Sequence, residues 1–117
     1  MRIYVAGPYS APTLHEIVIN VEIARLTAAE LWTRGHEAFC PHVASHDVHI
    51  EAQDVFRYEI AYERWIAHSL GIIEAWAEAL FVIAGSPGTF REMQAARRKG
   101  IPIYRNMADV PKVWGAA

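Results

Sequence analysis

The residues of this chain with the most chemistry in reach follow a Gly-Ser-Pro-Gly turn: Gly85-Ser86-Pro87-Gly88-Thr89-Phe90-Arg91-Glu92. An apolar run ends here and a helix is expected to begin at Thr89. Glycines let backbone N–H groups approach an anion, and a helix N-terminus adds unpaired donors and partial positive charge. Ser86 and Thr89 add hydroxyls, and Arg91, in the first turn, can approach an anion. Glu92 has two readings. It completes a Thr89-x-x-Glu92 capping box, or it is a carboxylate nucleophile of the kind that attacks an anomeric carbon and stabilises oxocarbenium character. A second glycine loop, Gly7-Pro8-Tyr9-Ser10, closes the first apolar run. Neither loop has the spacing of a dinucleotide fingerprint or a P-loop.

Cys40, His42, His46, Asp47 and His49 are all metal-ligand types, yet no Cys-x-x-Cys or His-Glu-x-x-His pairing joins them. The expectation is no metal and no organic cofactor. The segment instead reads as a ligand cover in which His42 or His46 supplies hydrogen bonds.

The elements that must position these groups follow the order strand, loop, helix, repeated, which marks a parallel α/β sheet. Ile3-Tyr4-Val5-Ala6 reads as the first strand. Thr13 caps a helix in which Ile17, Val21, Ala24, Ala28 and Leu31 recur at helical spacing until Gly35. Glu37 to Cys40 is the second strand. Pro41 to Gln53 lacks periodicity and reads as a long loop. Asp54 to Ser69 reads as a helix with Val55, Tyr58, Tyr62 and Trp65 on one face, broken at Gly71 before a short helix to Trp76. Ala79 to Ala84 is the most continuous apolar run, as a strand covered on both faces requires. A helix to Lys99, a strand Ile101 to Tyr104 and a last helical turn or two from Asp109 to Trp114 complete the chain. In such sheets ligands bind outside the carboxyl ends of the strands, where both glycine loops fall.

Composition narrows the function classes. The chain has 117 residues, so one domain over 1–117 is expected, and its 53% hydrophobic content excludes a disordered chain. A net charge of −2 disfavours nucleic-acid polymers as partners, although Arg91, Arg97, Arg98, Lys99 and Arg105 form a local basic end suited to a small anion. A single cysteine excludes an internal disulfide, and no apolar run nears the roughly 20 residues needed to cross a bilayer. Met1 to Gly7 is too short an apolar run for a signal peptide, so a cytoplasmic protein is expected. Aromatic content of 11% leaves room for burial against a second subunit.

Ile3-Tyr4-Val5-Ala6-Gly7-Pro8-Tyr9-Ser10, with Ser86-Pro87-Gly88-Thr89-Phe90-Arg91-Glu92, Ala95-Ala96 and Gly100-Ile101-Pro102-Ile103, resembles the nucleoside 2-deoxyribosyltransferase family, which includes 2'-deoxynucleoside 5'-phosphate N-hydrolases. The similarity spans nearly the whole length. It implies a flavodoxin-like, three-layer fold with a parallel sheet of four to five strands, a homodimer or larger homo-oligomer, and cleavage of the N-glycosidic bond of a nucleoside or nucleotide. By position Glu92 matches the nucleophile and Tyr4 an aromatic residue of the sugar site. Gly7 matches the first ligand loop, and Ser86 and Gly88 match the loop that receives a 5'-phosphate. The transferases carry a carboxylate in that loop; a hydroxyl and free amides suit a phosphate dianion better, which favours a nucleoside monophosphate. The chain departs from the pattern at Leu70, where the family has an Asp about eight residues ahead of the acid matching Glu78. His68 or Ser69, shifted by one or two residues, or Asp54, Glu59 or Glu63, can replace it, with His68 suited to protonate a leaving base. A transferase, and a nucleotide-binding protein that has lost catalysis, are the competing readings.

Overall fold

Four apolar runs, Arg2–Ala6 (β1), Glu37–Phe39 (β2), Ala79–Val82 (β3) and Ile103–Tyr104 (β4), form one all-parallel sheet in the order β2-β1-β3-β4 in the computed structural model, which describes residues 1–113. Between them run helices α1 (Leu14–Thr33), α2 (Pro41–Asp54), α3 (Tyr62–Trp76) and α4 (Pro87–Lys99), and a 3-10 turn at Met107–Asp109 follows β4.

Side-chain alternation along β1 and β3 divides the core in two. Tyr4, Ala6, Leu80 and Val82 pack with Ile73 of α3 and Met93, Ala95 and Ala96 of α4. Ile3, Val5, Ala79 and Phe81 pack with Ala24 and Leu31 of α1 and with Val110. Helices therefore cover both faces, and the fold is α/β, three-layered and flavodoxin-like in its strand order. Both central strands are buried on both faces, which is why their sequences run apolar without alternation.

Local signals explain the helix ends. Thr13 accepts from the Glu16 amide at 3.2 Å, capping α1. Gly100 closes α4 in the left-handed region, φ 77°. Among the described residues no helix is long and apolar enough to cross a membrane.

Several sequence expectations change. Residues 41–53 are not a loop but most of α2, which starts with Pro41 at its first position, where proline's missing N–H costs nothing. Its periodicity was hidden because histidines occupy positions where aliphatic residues would have marked it. The helix expected over 54–69 begins only at Tyr62. Arg57, at φ 53°, breaks the chain direction, and Phe56 and Tyr58 are exposed. Gly71 does not interrupt α3, and nothing lies within 4 Å of where its Cβ would stand. Only the 3-10 turn forms near 109–114; residues 110–113 are not helical, and Trp114 lies outside the described residues.

Candidate active site

The chain goes from β1 outward to β2 and then crosses to β3 on the other side, so strand order reverses between β1 and β3. At their carboxyl ends a cleft of about 480 Å³ opens. That is the place and the size expected for a small-molecule site. The loop after β1, the cleft-facing sides of α2 and α3, and the first two turns of α4 form its walls.

Glu92 sits on this wall, and its side chain is buried, 5% exposed. The Tyr4 hydroxyl, buried in the sheet, donates a short hydrogen bond to Glu92 Oε2. Among the described residues no group bonds Oε1, which is left for the cleft. Burial lifts the Glu92 pKa to about 7, against the pull of the Tyr4 hydrogen bond. Tyr4 is driven far above its ordinary range, first by burial and then by the Glu92 charge, and so remains a proton donor. A carboxylate ionising near neutrality with one oxygen held and one free is equipped for nucleophilic attack.

The capping-box reading of Glu92 does not hold. Ser86, not Thr89, is the N-cap of α4: its hydroxyl accepts from the Thr89 amide at 3.1 Å, and Pro87 occupies the first helical position. Glu92 therefore lies in the second turn, out of capping reach, and faces Tyr4 instead. Ser86 Oγ and Thr89 Oγ1 are 2.8 Å apart, so the first turn presents hydroxyls beside its free amides. A Cβ at Gly88 would stand 3.1 Å from the Tyr62 hydroxyl, so glycine keeps this corner open.

The β1 loop is fixed from below. A Cβ at Gly7 would stand 3.1 Å from the Ile83 Cβ, which admits only glycine without repacking. The Gly7 carbonyl accepts from His42 Nε2 at 2.7 Å. That bond places the proton on Nε2 and leaves Nδ1 as the acceptor facing Cys40 Sγ at 3.6 Å. Burial pushes the His42 pKa down, so the ring is neutral, a strut between α2 and the loop. Tyr9 and His46 share a hydrogen bond, Oη to Nδ1, of 2.7 Å. Gly7, Pro8, Tyr9, Ser10, His42, Ser86, Gly88 and Thr89 all line the cleft; His46 does not, and reaches it only through Tyr9.

Arg91 and Glu63 do not line the cleft: the Arg91 guanidinium pairs with the Glu63 carboxylate of α3, the nearest contact 3.0 Å, beside the cleft-lining Tyr62. Leu70 packs into the core, while Ser69 and His68 line the cleft, the former beside the Tyr4 hydroxyl and the latter exposed to solvent. Asp54 and Glu59 are exposed and off the wall, and Glu78 lies at the opposite end of β3, accepting from the Arg2 amide at 2.9 Å. Glu92 is thus the one carboxylate on the wall among the described residues. Sequence reasoning missed Ser45, His49, Trp65 and Ile66, which also line it; a helical reading of 41–54 would have found the first two. Among the described residues no three His, Cys, Asp or Glu side chains are grouped to hold a metal ion.

Comparison with protein-family models, with curated proteins and with solved structures finds no match to this chain.

Proposed function

We propose that the protein hydrolyses the N-glycosidic bond of a nucleoside or 2'-deoxynucleoside 5'-monophosphate. The observation that carries this reading is Glu92 in the cleft wall, held by Tyr4 and lying one turn beyond the open first turn of α4. The resemblance of both ligand loops to the deoxyribosyltransferase family supports the same substrate class.

In this scheme the 5'-phosphate lies against the amides and hydroxyls at 86–89, where the helix dipole favours its charge. Glu92 Oε1 attacks C1', the C1'–N bond breaks, and its electron pair goes to the base nitrogen. His68, at the solvent-facing mouth, supplies the proton that the leaving base takes up. Water then attacks C1' of the glycosyl ester and passes a proton back to His68, the C1'–Oε1 bond breaks, and the Glu92 carboxylate returns as the sugar 5-phosphate leaves. Tyr4 stays protonated throughout and holds Oε2.

This chemistry needs Glu92 ionised. With its pKa at about 7, kcat/KM for base release should fall about tenfold per pH unit below neutrality, whereas an ordinary glutamate would keep full activity down to about pH 5. A pH–rate profile of released base checks this; a flat profile from about pH 5.5 to 8 would remove Glu92 from the role.

Among the described residues Glu92 is the one carboxylate on the wall, which favours one competing reading, a protein that binds the nucleotide without cleaving it. Nucleotide-dependent stabilisation against heat with no base released would select that reading. The protein is proposed to work in the cytoplasm as a homodimer. The support for the dimer is a row of exposed apolar residues on one face of α1, Ile19, Ile23 and Leu26, between 43% and 61% exposed. Sedimentation at twice the chain mass is expected, and a monomer at micromolar concentration would contradict it.

A further inference from the structure

On α1, Ile17, Val21, Ala24, Ala28 and Leu31 form one stripe, of which Ala24, Ala28 and Leu31 pack into the core. Asn20 falls on the same side, three residues after Ile17 and four before Ala24, and is half-buried. An amide in that position costs helix propensity and desolvation relative to an aliphatic residue unless it has a partner to satisfy. The partner is the loop after β1. Asn20 Nδ2 donates to the Tyr9 carbonyl at 3.1 Å, and because a carbonyl only accepts, the bond also fixes which way the amide is turned.

That loop has little else to hold it. Among the described residues, 8–11 form no main-chain to main-chain hydrogen bond, so side chains from the neighbouring helices set the loop's shape. His42 Nε2 donates to the Gly7 carbonyl at 2.7 Å, and His46 Nδ1 meets the Tyr9 hydroxyl at 2.7 Å. Tyr9 is thus tied at both ends, its carbonyl to α1 and its hydroxyl to α2, and it lines the cleft between those ties. Asn20 does not line the cleft and touches no ligand there. We infer that Asn20 is a positioning residue: from behind the wall it fixes the β1 loop, and through it Tyr9, in the shape that receives substrate; this rests on the N-glycosidase reading above. Holding the loop before substrate arrives removes an ordering cost that binding would otherwise meet.

Kinetics of base release and NMR relaxation on folded variants test the inference. Asn20→Ala should raise KM for the nucleotide about fivefold, the loss expected of one neutral hydrogen bond, with kcat within about twofold. The acid limb of the pH–rate profile should stay in place, because the Tyr4–Glu92 pair is untouched. Asn20→Asp keeps the size but, ionised at neutral pH, has no donor, and should lose as much; a residue that only packed would tolerate it. With Tyr9→Ala already present, Asn20→Ala should add no more than about twofold to KM, since no ring is left to hold. The backbone order parameters of Tyr9 and Ser10, about 0.85 in the wild type, should fall towards about 0.6 in both Asn20 variants. Unchanged order parameters, a wild-type KM for Asn20→Asp, or full additivity with Tyr9→Ala would overturn the assignment and leave the glycosidase reading standing. Lowered order parameters with no base released by the wild type from any monophosphate would overturn that reading, and the role of Asn20 in it, while the loop's tie to α1 held.

Discussion

A Glu92→Gln protein is expected to fold, to bind nucleotide and to release base at least about a thousandfold more slowly than the wild type, because the amide cannot attack C1' or balance its positive charge. The same substitution should make the protein more stable at pH 8. The Glu92 carboxyl ionises at about 7 in the folded protein against 4.5 for an ordinary glutamate, so the folded state holds its proton longer. Stability is therefore lost as pH rises from the lower value through the higher one, and glutamine, which carries no charge, escapes that loss. A melting temperature raised by roughly 5 °C at pH 8, with the difference vanishing near pH 4.5, is the expected pattern. Full activity in the folded variant would exclude Glu92 as nucleophile, and a loss of stability at pH 8 would show that its burial is not the destabilising feature proposed.

Tyr4→Phe should lower kcat about a hundredfold with a much smaller change in KM. The ring keeps its packing, including its contact with Phe39 at 6.2 Å between centroids, so the change is confined to the hydroxyl. Removing that donor leaves Glu92 Oε2 buried without a hydrogen bond. It also removes the one influence that draws the Glu92 pKa down, so the acid limb of the pH–rate profile should move above its wild-type position near 7. A merely structural Tyr4 would lower stability without displacing the limb. A limb that stays in place in a folded, weakened Tyr4→Phe protein would sink the pairing.

Much of what positions the site was legible in the chain. β1 and β3 announced themselves as unbroken apolar runs because both their faces are covered, and the glycine loops that follow them end at the strand-order switch. Glu92 could be placed beside the loop but not oriented. Ser86 and Thr89 are both capping hydroxyls, and the choice between them turned on Pro87, which favours the first position of a helix and so makes Ser86 the cap. The three-residue difference moves Glu92 from a capping position to the second turn, facing Tyr4.

α2 was invisible to hydrophobic periodicity because the face that meets Tyr9 of the β1 loop carries His42, His46 and His49 where aliphatic residues would have marked it. The late start of α3 was equally hidden, since Val55, Tyr58, Tyr62 and Trp65 keep helical spacing across a turn that Arg57 breaks. Long-range pairings left no local mark at all. The Arg91–Glu63 pair spans two helices, and the contact between His46 and Tyr9 joins α2 to the β1 loop. Leu70 looked like the loss of a site residue. Its place in the core beside Ser69 and His68 on the cleft wall shows that the helix presents polar side chains to the site from adjacent positions.

The most direct test is incubation of the wild-type protein with each common ribo- and 2'-deoxyribonucleoside 5'-monophosphate at pH 8, with chromatography of the free base. Release of one or more bases with an equal amount of sugar 5-phosphate, abolished by Glu92→Gln and much slower on the matching nucleosides, is the expected result. No base from any monophosphate, from folded protein over a long incubation, would contradict it.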